Sequence, residues 1–209
     1  GLLETEEYKL GFFSVQGEAS QLDVLELNPL EGERVLDLCS APGGKTCAMA
    51  ELMKDNGSIL SCDIYEERLK LVETGAKRLG LKSISTMLWD GTKDNSAWHG
   101  KFDAVLCDVP CTGLGTLRQK PELKLKDKDQ NFELLPSIQY QILKNGAAYL
   151  KENGRLMYST CTVNPKENKQ QIMKFLDENP GFTLLGERQF FQEEDGPDGF
   201  YFCLLKKHD

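Results

Sequence analysis

The chain has 209 residues, 40% hydrophobic and 28% charged, with 25 Lys and Arg against 33 Asp and Glu. This is the composition of a single globular domain with a sizeable core, and a net charge of −8 argues against a strong autonomous nucleic-acid binder, which shows a basic footprint. No apolar run reaches the roughly 18–20 residues of a membrane span, and no basic-then-apolar leader opens the sequence, so the expected setting is cytoplasmic, with no membrane partner. The opening Gly1-Leu2-Leu3 reads as the middle of a longer protein.

In chain order, residues 18–28 have helical spacing, with Leu22, Val24 and Leu25 on the apolar face, and residues 1–31 are expected to be an extension packing on the main domain. Arg34 to Cys39 predicts a first strand and Gly44 to Lys54 a helix closed by Asn56-Gly57. A second strand follows at Ser58–Asp63, a helix at 66–79 stopped by Gly80, a third strand at Ser83–Trp89 and a fourth at Phe102–Asp108. The polar segment 112–131 is longer than the usual loop, and such loops are often functional. It carries Arg118, Lys120, Lys124, Lys126 and Lys128, read either as a solvated loop or as a phosphate-facing patch. A helix is predicted over 134–150, stopped by Asn153-Gly154, then a fifth strand at Arg155–Thr160. Asn164-Pro165-Lys166-Glu167 predicts a helix start, with Asn as N-cap and Glu three residues on. Two late strands, near Phe182–Leu185 and Phe200–Leu205, close the chain as a hairpin. Strands alternating with helices imply an α/β fold with a mostly parallel sheet, helices on both faces and an antiparallel hairpin at the carboxyl end.

Seven cysteines are an odd number for a disulfide framework and lie in strand and helix patterns, so thiols in a reducing compartment are expected. Cys107 falls inside an apolar run, His99 and His208 stand alone, and no second Cys pair has ligand spacing, so no metal is expected. Cys39, Cys47, Cys62, Cys107 and Cys203 read as core residues. Cys111 and Cys161 differ: each sits just past a predicted strand, where side chains of an open α/β sheet line the ligand crevice.

Cys39-Ser40-Ala41-Pro42-Gly43-Gly44-Lys45-Thr46 joins the first strand to the first long helix. It matches neither a Walker phosphate loop, which needs Gly at position 39, nor Gly-x-Gly-x-x-Gly. A cofactor with an amino-acid end and a nucleoside end fits a glycine loop at a helix start. Asp63, about 20 residues on, ends the second strand where an acidic side chain accepts ribose hydroxyls; the competing role is a cap on the next helix. Asp90-Gly91 is a turn that could line the adenine side.

Asp108-Val109-Pro110-Cys111 is similar to the Asp/Asn-Pro-Pro-aromatic corner of amino-methyltransferases, with a cysteine where the ring would be. That substitution moves the expectation from nitrogen to carbon methylation: a thiolate adding at cytosine C6 makes C5 nucleophilic enough to take a methyl group.

Taken together, residues 39–46, Asp63, Asp90, 108–113 and 159–162 resemble the RNA 5-methylcytosine methyltransferases of the Sun/Nop2 family, as do Val15-Gln16, Ser20-Gln21-Leu22 and Asp198-Gly199-Phe200-Tyr201. The resemblance spans nearly the whole chain; Gln16-Gly17-Glu18-Ala19 departs from the family's usual Gln-Asp-x-Ser. It implies a Rossmann-like S-adenosylmethionine-dependent methyltransferase fold, one catalytic domain over 1–209, and RNA, of the 16S ribosomal type, as substrate. A preceding RNA-binding domain, found in bacterial members, is not expected within this sequence. It also implies that Cys161 attacks C6, Cys111 assists release and Asp108 contacts the base edge near N3. S-adenosylmethionine would be held by Cys39, Ser40, Ala41, Pro42, Gly43, Gly44, Lys45, Asp63, Asp90 and Asp108, with Arg68 as a further contributor. Chemistry alone leaves the nucleophile open, because DNA cytosine methyltransferases use the Pro-Cys thiol. A helix start just after Cys161 would lower its pKa. The competing functions are a non-catalytic cofactor- and RNA-binding module for ribosome assembly and a nucleotide-dependent oxidoreductase.

Overall fold

A computed structural model of the chain describes residues 1–117, 133–191 and 198–209. Seven strands form the sheet: β1 Arg34–Asp37, β2 Ser58–Asp63, β3 Ile84–Leu88, β4 Phe102–Asp108, β5 Leu150–Thr160, β6 Phe182–Phe190 and β7 Phe200–Lys207. Among the described residues six α-helices accompany them: α1 Glu6–Lys9, α2 Glu18–Leu27, α3 Gly44–Leu52, α4 Glu66–Leu79, α5 Leu135–Tyr149 and α6 Lys169–Glu178. The strand order is β3-β2-β1-β4-β5-β7-β6. The first five strands run parallel, and β7 lies antiparallel between β5 and β6. The mostly parallel sheet with its closing hairpin is the expected architecture.

The central strands read as unbroken apolar runs because both of their faces are covered. Along β4, Val105 and Cys107 face a core shared with Ile142 and Leu143 of α5 and Phe175 of α6, while Ala104 and Leu106 face Met49 and Ala50 of α3 and Val24 of α2. This is the period-two alternation of a strand, and it puts helices on both sheet faces.

Strand order reverses between β1, which leads outward to β2 and β3, and β4, which leads the other way. At such a switch point the loops leaving the carboxyl ends of neighbouring strands diverge and open a crevice. The glycine loop leaves β1 there, and the 109–117 segment leaves β4.

Three local expectations are corrected. The buried apolar side chains of α2 are Val24 and Leu27, whereas Leu25 is 53% exposed, so the apolar stripe is turned from the one predicted. β5 starts at Leu150, directly after α5, and Asn153 adopts φ 62 inside it; Asn153-Gly154 marks an irregularity within the strand, not a stop before it. The third concerns Asn164, which makes a local turn, accepting from Lys166 N at 3.1 Å, while the helix begins at Lys169 behind Asn168. The basic run Arg118 to Lys128 lies outside the described residues.

Among the described residues no helix is long and apolar enough to cross a membrane. Residues ahead of α2 contact α4, where the Arg78 guanidinium stacks 3.8 Å over Tyr8 and donates to Phe13 O at 3.0 Å.

Candidate active site

The β1–α3 loop is shaped by Gly43. Its φ is 105, and a Cβ there would stand 2.9 Å from Val72 Cα on α4, so only glycine lets the loop lie this close. Helix α3 starts at Gly44 with no side-chain cap on its first turn, leaving N–H groups that suit a carboxylate. From behind, Ala41 N donates to Asp63 Oδ2 at 3.3 Å and Arg68 Nη2 donates to Ala41 O at 2.8 Å. Asp63 also accepts from Tyr65 N at 3.1 Å, so its carboxylate braces the loop and the turn leading into α4 while facing the cleft.

That cleft measures about 1120 Å³. Of the residues singled out in the sequence, Cys39 to Pro42, Gly44, Lys45, Asp63, Arg68, Asp90, Asp108, Cys111 and Cys161 line it, and Gly43 lies behind its wall. Asp90 Oδ1 accepts from Thr92 N and Oγ1 at 2.9 and 2.7 Å, which fixes its turn at the rim. Ile64 is 52% exposed against the same cleft; it gave no sequence signal of its own beyond following Asp63.

Lys45 lines the cleft and sends its ammonium toward the end of β4. Nζ lies 2.8 Å from Asp108 Oδ1, 2.6 Å from Asp23 Oδ2 and 3.1 Å from Ser159 Oγ, and 4.7 Å above the Phe200 ring. Burial opposes its charge, but Asp108 and Asp23 outweigh burial and hold it protonated above the usual lysine range. Asp23 is fully buried, and burial pushes its carboxyl up to about 6 against the pull of Lys45. The Lys45 ammonium is its counter-charge. Asp23 hid in the sequence as a polar residue in an amphipathic helix. Asp37, at the end of β1, is pushed up to about 7 by burial, although Thr46 Oγ1 donates to it at 2.6 Å.

Cys111 and Cys161, 50 residues apart, meet with their sulfurs 3.2 Å apart. All seven cysteines are thiols. Cys47, Cys62, Cys107 and Cys203 are buried in the core as expected; Cys39 is half-buried, packing against the core and lining the cleft. The hydrogen bond with Cys161, together with burial, pushes Cys111 well above the usual thiol range. The expectation that a helix start depresses Cys161 loses its footing, because α6 begins eight residues further on. Sequence reasoning also missed Glu167: it reads as a capping-box residue but is fully buried beside the two cysteine loops. Among the described residues no group of His, Cys, Asp and Glu is arranged to hold a metal ion.

The family described as 16S rRNA methyltransferase RsmB/F matches residues 24–206. Among curated relatives, the probable ribosomal RNA small subunit methyltransferase B of Bacillus subtilis is 36% identical over 97% of this chain and 49% of its own length. The ribosomal RNA small subunit methyltransferase B of Vibrio vulnificus is 35% identical over 96% of this chain and 48% of its own. The chain thus spans about half the length of these relatives. Among solved structures, NSun6 from Pyrococcus horikoshii, crystallised with SFG, superposes with a TM-score of 0.88 at 27% identity, covering 100% of this chain and 56% of that one. A methyltransferase homolog from the same organism gives 0.83 at 27% identity, covering 99% and 72%. With a match of that extent, the chain belongs to the 16S rRNA methyltransferase RsmB/F family.

Proposed function

We propose that residues 1–209 form the catalytic domain of an RNA (cytosine-5-)-methyltransferase acting on small-subunit ribosomal RNA. The observation that carries this reading is the pair of thiols 3.2 Å apart, in the same cleft as the buried Lys45–Asp108 ion pair. A purely binding module has no chemical need for two sulfurs so placed.

S-adenosylmethionine is the cofactor of this family, and the residues present suit it. The uncapped first turn of α3 and the loop of Ser40, Ala41 and Pro42 would take the amino-acid end. Asp63 would take the ribose, and Asp90 with the exposed Ile64 would flank the adenine. The buried Ser40 hydroxyl has no hydrogen-bond partner among the described residues, a donor held ready beside that loop. When bound, the cofactor supplies an electrophilic methyl group on a sulfonium.

Residues of the chain supply the rest. Cys161 attacks C6 as a thiolate, forming an S–C6 bond and pushing an electron pair toward C5. Asp108, fixed by Lys45 and by Ser159 Oγ at 2.8 Å, meets the base edge near N3, and the Lys45 ammonium lies beside it to offset negative charge developing on the ring. Once C5 is methylated, its proton must leave as the S–C6 bond breaks. Cys111, held protonated against Cys161, gives its proton to the departing sulfur and takes the C5 proton in turn. The likeness of Thr160-Cys161 to the family's motif is what assigns the attack to Cys161.

Incubating the protein with unmethylated ribosomal RNA and methyl-labelled cofactor tests the reading. Label should appear at cytosine C5, Cys161→Ala should abolish it, and Cys111→Ala should accumulate a covalent RNA adduct. Methylation that survives loss of Cys161 would overturn the assignment of the nucleophile, and the absence of any transfer by the intact protein would favour an assembly module.

A further inference from the structure

Glu167 grips both cysteine loops. Its Oε2 accepts from the Thr112 main-chain N–H at 2.9 Å and from Gln139 Nε2 at 2.8 Å. Oε1 accepts from Thr112 Oγ1 at 2.7 Å and from Asn164 Nδ2 at 2.9 Å. The same Gln139 Nε2 donates to Pro110 O at 2.9 Å, so the carboxylate reaches the residues on both sides of Cys111. Thr112 Oγ1 in turn lies 2.8 Å from Thr162 Oγ1, next to Cys161. Tyr158 OH donates to the carbonyl of Glu167 at 2.7 Å and anchors the residue itself to β5. Glu167 is 0% exposed. Burying a carboxylate is costly unless its lone pairs are filled, and here four donors fill them, all from the two loops and from α5.

We propose that Glu167 is a positioning residue that sets the distance between the two reacting sulfurs. The loop bearing Cys111 leaves β4 and the loop bearing Cys161 leaves β5. The sheet pairs the strands as far as Asp108 and Ser159; past that register Gly115 N donates to Cys161 O at 3.0 Å, and a side-chain clasp is still needed to fix Cys111 against Cys161. The carboxylate does so, as an acceptor-only group facing donors from both sides. Its catalytic consequence rests on the function proposed above; the spacing itself does not.

Glu167→Gln tests this with little change of shape. Each carboxylate oxygen accepts from two donors, so either amide orientation sets an NH2 group against donors, and the grip opens. The readout is the rate at which diamide joins Cys111 to Cys161, followed by mass spectrometry of the bridged peptide. In that reaction two thiols lose two protons and two electrons, and diamide is reduced to the hydrazine. Because misplacement by about 1 Å can cost up to about a hundredfold in a proximity-dependent step, bridging should slow by about tenfold or more in the folded variant. Alkylation of Cys161 by iodoacetamide should keep its wild-type rate. In the methylation assay kcat should fall while KM for the cofactor holds.

Bridging at the wild-type rate in folded Glu167→Gln would overturn the proposal, as would equal slowing of bridging and alkylation. Should that variant fail to fold, Thr112→Val decides: it removes the Thr112 hydroxyl contacts but keeps the main-chain bond, so bridging should slow by a smaller factor, and an unchanged rate would overturn the proposal. If bridging behaves as expected but the wild-type protein methylates no cytosine, the functional reading falls and the clasp stands.

Discussion

Asp37→Asn should remove a pH dependence built into the core beneath the glycine loop. Asp37 is 1% exposed, and burial lifts its carboxyl from 3.8 to about 7. Its folded-state pKa is raised, so the fold binds this proton more tightly than the unfolded chain does. The stability it contributes is fully present below about pH 4 and is lost as pH rises through about 7. At about 1.4 kcal/mol per pH unit, the ionised form costs the fold about 4 kcal/mol at pH 8. Asparagine carries no charge to bury, and its carbonyl oxygen can still accept from Thr46 Oγ1. Its amide N–H group is left without a built partner, at about 1–3 kcal/mol. The variant should therefore be more stable than wild type by about 1–3 kcal/mol at pH 8. Below about pH 4, where the wild-type carboxyl is neutral, it should be the less stable of the two. Urea unfolding at pH 4, 6, 7 and 8 measures both chains, and the difference between them isolates Asp37 from Asp23, which titrates in the same direction. Parallel stability curves for the two proteins across this range would refute the reasoning.

Lys45→Met should destabilise by about 3–5 kcal/mol, because it leaves buried Asp23 without its counter-charge; adding Asp23→Asn should restore part of that loss in chemical denaturation, and purely additive effects would count against the pairing. Gly43→Ala should push the loop off Val72 and weaken S-adenosylhomocysteine binding by about tenfold in calorimetry, since a side chain at positive φ costs roughly 1–2 kcal/mol before any clash. Gly181→Ala, where a Cβ meets nothing within 4 Å, should bind as wild type does; equal affinity in all three proteins would detach the loop from the cofactor.

The sequence by itself determined the layers and named the glycine loop, Asp63, Asp108 and the two thiols, but not Asp23 or Glu167. Apolar runs such as 102–108 announced strands buried on both faces, because a side-chain period of two needs no tertiary information to be read. Glycine at 43 and the paired thiols were legible because their chemistry is written in residue type. Tertiary structure decided what those residues face. Lys45 follows the glycine loop in sequence, yet its charge settles on Asp23 and Asp108, from α2 and β4, because a buried ammonium goes where carboxylates are. Leu25 fits an apolar stripe but turns to solvent, since α2 is rotated to bury Val24, Leu27 and Asp23. Glu167 fits a capping box but fills a gap between two loops, because the helix it should cap begins further on. Local pattern encodes backbone shape; a buried charge finds its partners through space, across 22 and 63 residues along the chain in the case of Lys45.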